Sequence, residues 1–274
     1  MAYRAIAFDL DGTLLDSQKK IRLLNREVIC KAQDMGVEVL IATGRHPQAA
    51  HYFHHLLGLQ SYAICCNGAC LYDFEAMKAI ISNPLQKNEV EGLYNICRQL
   101  DFPIKVYADG AIMYEKADKY IDFFHEWRKH LPEQFQPVLK KIENNESFFT
   151  DDPTIWKYTL WEEDISRMTT IAERAEKELD LSCEWWSTAG LDITRSDNTK
   201  GLRLLDWAKM RNIDPQEIIV FGDNYNDVSM LSMAGLGVAM GQADDEVKKH
   251  ADIVAPGDND SDAIAEVLQK YVLG

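Results

Sequence analysis

Apolar residues along this chain alternate between short unbroken runs and helical spacings. Residues 3–9 form an apolar run with no polar alternation, the pattern of a strand buried on both faces. Over 26–35, Val28, Ile29, Ala32 and Met35 recur at helical spacing, and Gly36 supplies a C-terminal stop. Residues 37–42 predict a second strand, ending at Thr43-Gly44-Arg45, and 47–57 a second helix. A third strand over 62–66 ends at Asn67-Gly68-Ala69. The pattern resumes late, with a helix over 201–211 and a strand over 218–221 that ends at Gly222-Asp223-Asn224. A helix carrying Val228, Met230, Leu231 and Ala234 follows, then strands over 236–240 and 253–254 and a closing helix over 260–272. Buried strands alternating with helices predict an α/β fold, a Rossmann-like parallel sheet with helices on its faces.

The middle of the chain departs from this rhythm. From about Pro84 to Gly190 it is rich in aromatic and charged residues and lacks strands ending in Asp or Gly clusters. Helices are expected over 88–100, 118–130 and 163–179, and strands over 104–107, 111–115, 155–161 and 183–187. The expectation is therefore a core built from residues 1–83 and 190–274, interrupted by an inserted α+β cap domain over 84–189.

Composition narrows the functions available. The 274 residues suffice for one large or two moderate domains, and the formal charge of −15 opposes binding to nucleic acid. No apolar run approaches the ~20 residues a membrane span needs, and the N-terminus lacks the order of a signal peptide. Six cysteines without a CxxC pair fit reduced, mostly buried thiols. A cytoplasmic protein without membrane or nucleic-acid partners is expected.

The chemistry sits where buried strands end: Asp9/Asp11, Thr43-Gly44-Arg45, Asn67-Gly68 and Asp223-Asn224-Tyr225-Asn226-Asp227. In an open parallel sheet the carboxyl ends of the strands line one crevice, so these distant clusters converge. Burying two acids for packing alone would be costly. Asp9 and Asp223 are candidate ligands for Mg²⁺, a hard cation that screens a carboxylate nucleophile from a phosphate. Lys200 can offset phosphate charge, and the Thr43 hydroxyl and Gly44 N–H can donate to its oxygens. Asp11 is the candidate general acid and base.

DLDGTLL at 9–15, TGR at 43–45, NTKG at 198–201 and GDNYND at 222–227 resemble the ordered motifs of the haloacid dehalogenase superfamily. CNGA at 66–69 and the VAMG stretch from 238, with the position of the insertion, are similar to its Cof-type phosphatases with a C2B cap. AICCNG (63–68), YDF (72–74), CEWW (183–186) and DITRSDNTKG (192–201) resemble the enterobacterial pyridoxal phosphate phosphatases within that group. The resemblance implies a Mg²⁺-dependent phosphomonoesterase acting through an aspartyl-phosphate on a small phosphorylated metabolite, first of all pyridoxal 5′-phosphate. It makes Asp9 nucleophile and metal ligand, and Asp11 acid and base with a backbone carbonyl on the metal. Asp223 becomes the second carboxylate ligand. Leu10 N–H, Thr43, Gly44, Lys200 and Asn226 hold phosphate, and Asp227 supports the metal from behind. Tyr225 stands where many relatives place a further Asp. Arg45, Asn67 and Gly68 are expected to contact substrate, with a salt bridge to a neighbouring acid as the other reading of Arg45.

Rival readings are a sugar phosphate or flavin mononucleotide phosphatase, a phosphotransferase or mutase, and a receiver-like phosphoacceptor. The last is disfavoured because receivers are usually ~120 residues in one domain. His51, His54 and His55 share helical spacing but lack a third-ligand motif, and are expected to line an amphipathic face. Trp156, Trp161, Trp185 and Trp186 are expected mainly in the core of the insertion, with stacking of one on an aromatic substrate as the minority reading.

Overall fold

The computed structural model describes residues 3–143, 148 and 153–274. It divides into two compact units. The first comprises residues 1–44, 53–80 and 199–274, and the second residues 45–52 and 81–198.

The first unit is built on an eight-stranded sheet. Its strands, in chain order, are β1 (Ala5–Phe8), β2 (Glu38–Ala42), β3 (Ala63–Cys65), β4 (Cys70–Asp73), β5 (Lys78–Ser82), β12 (Ile218–Gly222), β13 (Leu236–Ala239) and β14 (Ile253–Val254). The order across the sheet is β14-β13-β12-β1-β2-β3-β4-β5. From β14 to β3 the pairing is parallel; β4 turns back antiparallel on β3. Every residue of β1 and β12 is buried, which explains their unbroken apolar runs. Helices α1 (Leu23–Asp34) and α2 (Pro47–Leu56) follow the first two strands, and α6 (Lys200–Arg211), α7 (Val228–Leu231), α8 (Asp245–Lys248) and α9 (Ala263–Leu268) the later ones. Strands β3, β2, β1 and β12 are neighbours, and each ends at one of the polar clusters read from the sequence. The β4–β5 stretch was not expected as strand. Its two runs are short, and their apolar positions alternate with polar ones only partly.

The second unit holds a six-stranded sheet in the order β10-β11-β9-β6-β7-β8. The strands are β6 (Lys105–Ala108), β7 (Ala111–Tyr114), β8 (Leu139–Lys141), β9 (Ile155–Trp161), β10 (Leu181–Ser187) and β11 (Gly190–Arg195). Helices α3 (Lys87–Gln99) and α5 (Ser166–Leu179) bury Leu93, Ile96, Met168 and Ile171 against Val106, Tyr158, Leu160 and Ile193 on one face of it. Helix α4 is Lys119–Arg128. The division differs from expectation in three places, the first being that the inserted unit starts at Ile81 and not at residue 84. Strand β11, placed on the core side of a boundary at 189/190, pairs antiparallel with both β9 and β10, so the insertion runs on to Asn198. Its DITR segment was read with the motif that follows it, although its alternation is that of an ordinary strand. Residues 45–52, the start of α2, also group with the inserted unit. There His46 Nε2–H donates to the Ala108 carbonyl at 2.8 Å and its ring meets Tyr107 and Trp156. Among the described residues no helix is long and apolar enough to cross a membrane.

Candidate active site

The end of β1 delivers Asp9 into a buried position, its N–H donating to the Phe221 carbonyl of β12 at 3.0 Å. The next strand end over, after β12, delivers Asp223. Lys200, the first residue of α6, is fully buried and donates to Asp9 Oδ1 and to Asp227 Oδ1, both at 2.7 Å. Asp227 Oδ2 accepts the N–H groups of Asp223 (2.9 Å) and Asn224 (3.0 Å), which folds the loop after β12 back on itself. Thr13 Oγ1 donates to Asp223 Oδ1 at 2.7 Å. Between the two acid-bearing loops Gly12 has φ +82°, and a Cβ there would lie 2.3 Å from Asp223 Oδ2. Glycine is thus required twice at this position, for conformation and for space.

Asp9, Asp223 and Asp227 each offer a carboxylate oxygen within 4.8 Å of the others. Burial raises the Asp9 pKa well above the ordinary carboxylate value; Lys200 opposes the shift, and Asp227 and Asp223 add to it. Burial, then the neighbouring Asp227, pushes Asp223 up to about 7. Burial works to lower the Lys200 pKa, but Asp227 and Asp9 overcome it and hold the ammonium above its ordinary value. Three acids share one lysine, so ionising all of them calls for a further positive charge. Oxygen donors in that arrangement suit a small hard dication such as Mg²⁺.

The remaining candidates border this cluster. Thr43 is buried at the end of β2, its N–H bonded to Ile64 O and its carbonyl to Asn67 N–H. A Cβ on Gly44 would lie 2.6 Å from Asn67 Oδ1, so the loops after β2 and β3 touch there. Cys66, Asn67 and Gly68 all have positive φ, a tight left-handed turn. It is anchored from α6, where Arg203 Nε donates to Gly68 O at 2.9 Å. Asn226 Nδ2 donates to Asn67 Oδ1 at 3.1 Å, and its own Oδ1 is buried with no partner among the described residues. Leu10 is fully buried beside Asp9. Asp11 is more open and receives Lys19 Nζ at 2.7 Å.

Arg45 groups with the inserted unit, where its guanidinium lies 5.3 Å over the Trp127 ring. Two contacts were not foreseen. The Thr13 side chain has no role of its own in the sequence reading, where it stands only as a member of DLDGTLL. Lys19 carried no signal: it is one lysine in a polar loop, and only a backbone at φ +60° brings it back to Asp11. Of the histidines at helical spacing, His54 bonds to the Ser61 carbonyl and His51 packs on Phe135.

A sequence profile of the haloacid dehalogenase-like hydrolases matches residues 6–268. Pyridoxal phosphate phosphatase YbhA of Escherichia coli strain K12 is 35% identical over 273 residues, covering 100% of both chains. The 5-amino-6-(5-phospho-D-ribitylamino)uracil phosphatase YwtE of Bacillus subtilis strain 168 is 29% identical over 287 residues, covering 99% of each. Among solved structures, a haloacid dehalogenase-like hydrolase from Bacteroides thetaiotaomicron superposes with a TM-score of 0.84 at 25% identity, covering 98% of this chain and 99% of its own.

Proposed function

The chain belongs to the haloacid dehalogenase-like hydrolases and is a phosphatase, and from that premise we propose a Mg²⁺-dependent phosphomonoesterase that works through an aspartyl-phosphate. The observation that carries this reading is the buried Lys200, 2.7 Å from both Asp9 and Asp227 in a pocket with a third acid, Asp223. A structural core has no use for so many charges in one place.

In this reading Asp9 and Asp223, with the Asp11 backbone carbonyl, would hold Mg²⁺. The ion supplies charge neutralisation, letting an anionic carboxylate approach an anionic phosphate ester. Asp9 attacks phosphorus through one carboxylate oxygen. The bond to the leaving alcohol breaks, and Asp11 gives that oxygen its proton. Asp11, now ionised, takes a proton from water as the water attacks the phosphoryl group on Asp9. Inorganic phosphate leaves, and both acids return to their starting states. Lys200, Thr43, Gly44, the Leu10 N–H and Asn226 hold the phosphoryl oxygens. Asp227, tied to Lys200 and two backbone amides, keeps the lysine aimed and the loop closed. Arg45, Asn67 and Gly68 remain candidate substrate contacts.

The substrate is a small phosphorylated metabolite. Pyridoxal 5′-phosphate stands first, because the relative 35% identical along the whole chain is named for that ester. The test is hydrolysis of pyridoxal 5′-phosphate with Mg²⁺, with EDTA, and with Asp9→Asn. Release of phosphate by wild type with Mg²⁺ alone supports the reading. Hydrolysis that persists in EDTA, or in a folded Asp9→Asn variant, contradicts it. Adding acceptor alcohols distinguishes hydrolysis from transfer by the products formed.

A further inference from the structure

Beyond β1 the chain makes a small hairpin with Lys19 near its tip. Leu15 bridges to Asp11 and, antiparallel, to Ile21. Asp16 builds the turn between Leu15 and Ile21. Its Oδ1 accepts the N–H groups of Gln18 and Lys20, both at 2.9 Å. Its own N–H donates to Lys20 O, and its carbonyl accepts Lys19 N–H. Ser17 N–H donates to Asp260 Oδ1 at 2.7 Å, which pins the turn to the loop before α9. Asp11 and Lys19 both belong to the first unit.

Lys19 stands at φ +60° in this turn. Glycine adopts that conformation freely, whereas a residue with a Cβ is strained there. From it the lysine Nζ reaches Asp11 Oδ1 at 2.7 Å. The two side chains are 38% and 41% exposed, and an ion pair so open adds little to stability. Backbone strain kept for a contact that does little for the fold points to a use in function.

We propose that Lys19 is a positioning residue for Asp11: by holding Oδ1 it fixes the rotation of the carboxyl and assigns proton transfer to Oδ2. This rests on the phosphatase reading above, in which Asp11 is acid and base. In the first step a bond forms between an Asp9 oxygen and phosphorus, the bond from phosphorus to the leaving oxygen breaks, and the Oδ2 proton passes to that oxygen. In the second, water oxygen bonds to phosphorus, a water proton passes to Oδ2, and the Asp9 oxygen leaves phosphorus. Lysine can donate to Oδ1 throughout, because that oxygen accepts in both the acid and the carboxylate. Proton transfer needs hydrogen-bond reach, and a freely turning carboxyl loses it for part of the time.

The test compares wild type, Lys19→Gly, Lys19→Arg and Asp11→Asn in the full-length protein with Mg²⁺. Each is assayed on p-nitrophenyl phosphate and on the better-turned-over alkyl ester of pyridoxal 5′-phosphate and glucose 6-phosphate. p-Nitrophenoxide departs without a proton, whereas an alkyl alcohol needs one. The readout is kcat/KM on the alkyl ester divided by kcat/KM on p-nitrophenyl phosphate. Lys19→Gly suits the left-handed turn and is expected to melt with wild type, yet its ratio falls about tenfold, a part of what general acid catalysis contributes. Lys19→Arg keeps a cationic donor and retains most of the ratio. Asp11→Asn lowers it further than either. The proposal is overturned if the ratio for Lys19→Gly stays at or rises above that of wild type. Equal loss on both esters with a lowered melting temperature, the mark of a structural lysine, also overturns it. If Asp11→Asn leaves the ratio unchanged, the assignment of Asp11 as acid falls, and the proposal with it. Failure of wild type to hydrolyse any of the three esters overturns the phosphatase reading instead.

Discussion

At the scale of single residues, the account turns on charge held out of water. Replacing Asp9 by Asn removes the nucleophile and one buried charge; activity is expected to vanish while circular dichroism and melting show an intact fold. Lys200→Met should be worse for stability. It leaves Asp9 and Asp227 buried without their cation, a loss of about 3–5 kcal/mol, readable by urea denaturation in EDTA. His46 makes a different prediction. Its Nδ1 accepts the Gln48 N–H and its Nε2–H donates to Ala108, so both ring nitrogens are committed in the neutral form. Burial holds its pKa down at about 4, against 6.5 in the unfolded chain. Because the folded-state pKa is depressed, the stabilisation is complete above pH 6.5 and is lost as pH falls toward 4. The loss is about 3 kcal/mol. His46→Gln, which cannot titrate, should show a correspondingly flatter stability profile between those pH values. The acids of the pocket were legible in the sequence because an apolar strand that stops at a carboxylate is hard to explain otherwise. The Lys19 contact and the seat of Arg45 on Trp127 were not, since long side chains choose partners only after the backbone is folded.

At the scale of elements, the strand termini do the positioning. Neighbouring strands β3, β2, β1 and β12 end at the same edge of the sheet, and the tight loops beyond them admit no bulk. Gly12→Ala would have to adopt φ +82° and push its Cβ into Asp223. The strain costs roughly 1–2 kcal/mol, and displacement of Asp223 should lower apparent Mg²⁺ affinity more than KM for the ester. Titrating activity with Mg²⁺ at saturating substrate checks this. The central strands were readable because burial on both faces gives them a continuous apolar signature. The strands β4, β5 and β8 were not, because edge and hairpin strands carry weak alternation. β11 was missed for another reason: its position just before NTKG led it to be read as part of that motif, and only its pairing with β9 and β10 assigns it to the insertion.

For the molecule as a whole, pH and metal are coupled through the pocket. With no dication bound, burial raises the Asp9 and Asp223 pKa values, Asp223 to about 7. A raised folded-state pKa means that this stabilisation is present at acid pH and is lost as pH rises through about 7. Binding Mg²⁺ requires the ionised forms, so uptake of the metal below pH 7 should release protons and affinity should climb with pH. Calorimetry in two buffers of different ionisation enthalpy measures the protons released; a heat independent of buffer at pH 6 contradicts the arrangement. The −15 charge of the chain strengthens the demand for a cation wherever an anionic ester must enter.

The central claim is that Asp9 carries the phosphoryl group during turnover. Acid quench of the wild-type protein with Mg²⁺ and pyridoxal 5′-phosphate, followed by peptide mass spectrometry, tests it directly. The account predicts one phosphoryl group on the peptide containing Asp9, more of it in Asp11→Asn, where water is no longer activated, and none in Asp9→Asn. Steady phosphate release with no labelled peptide, or with the label on another residue, would contradict it.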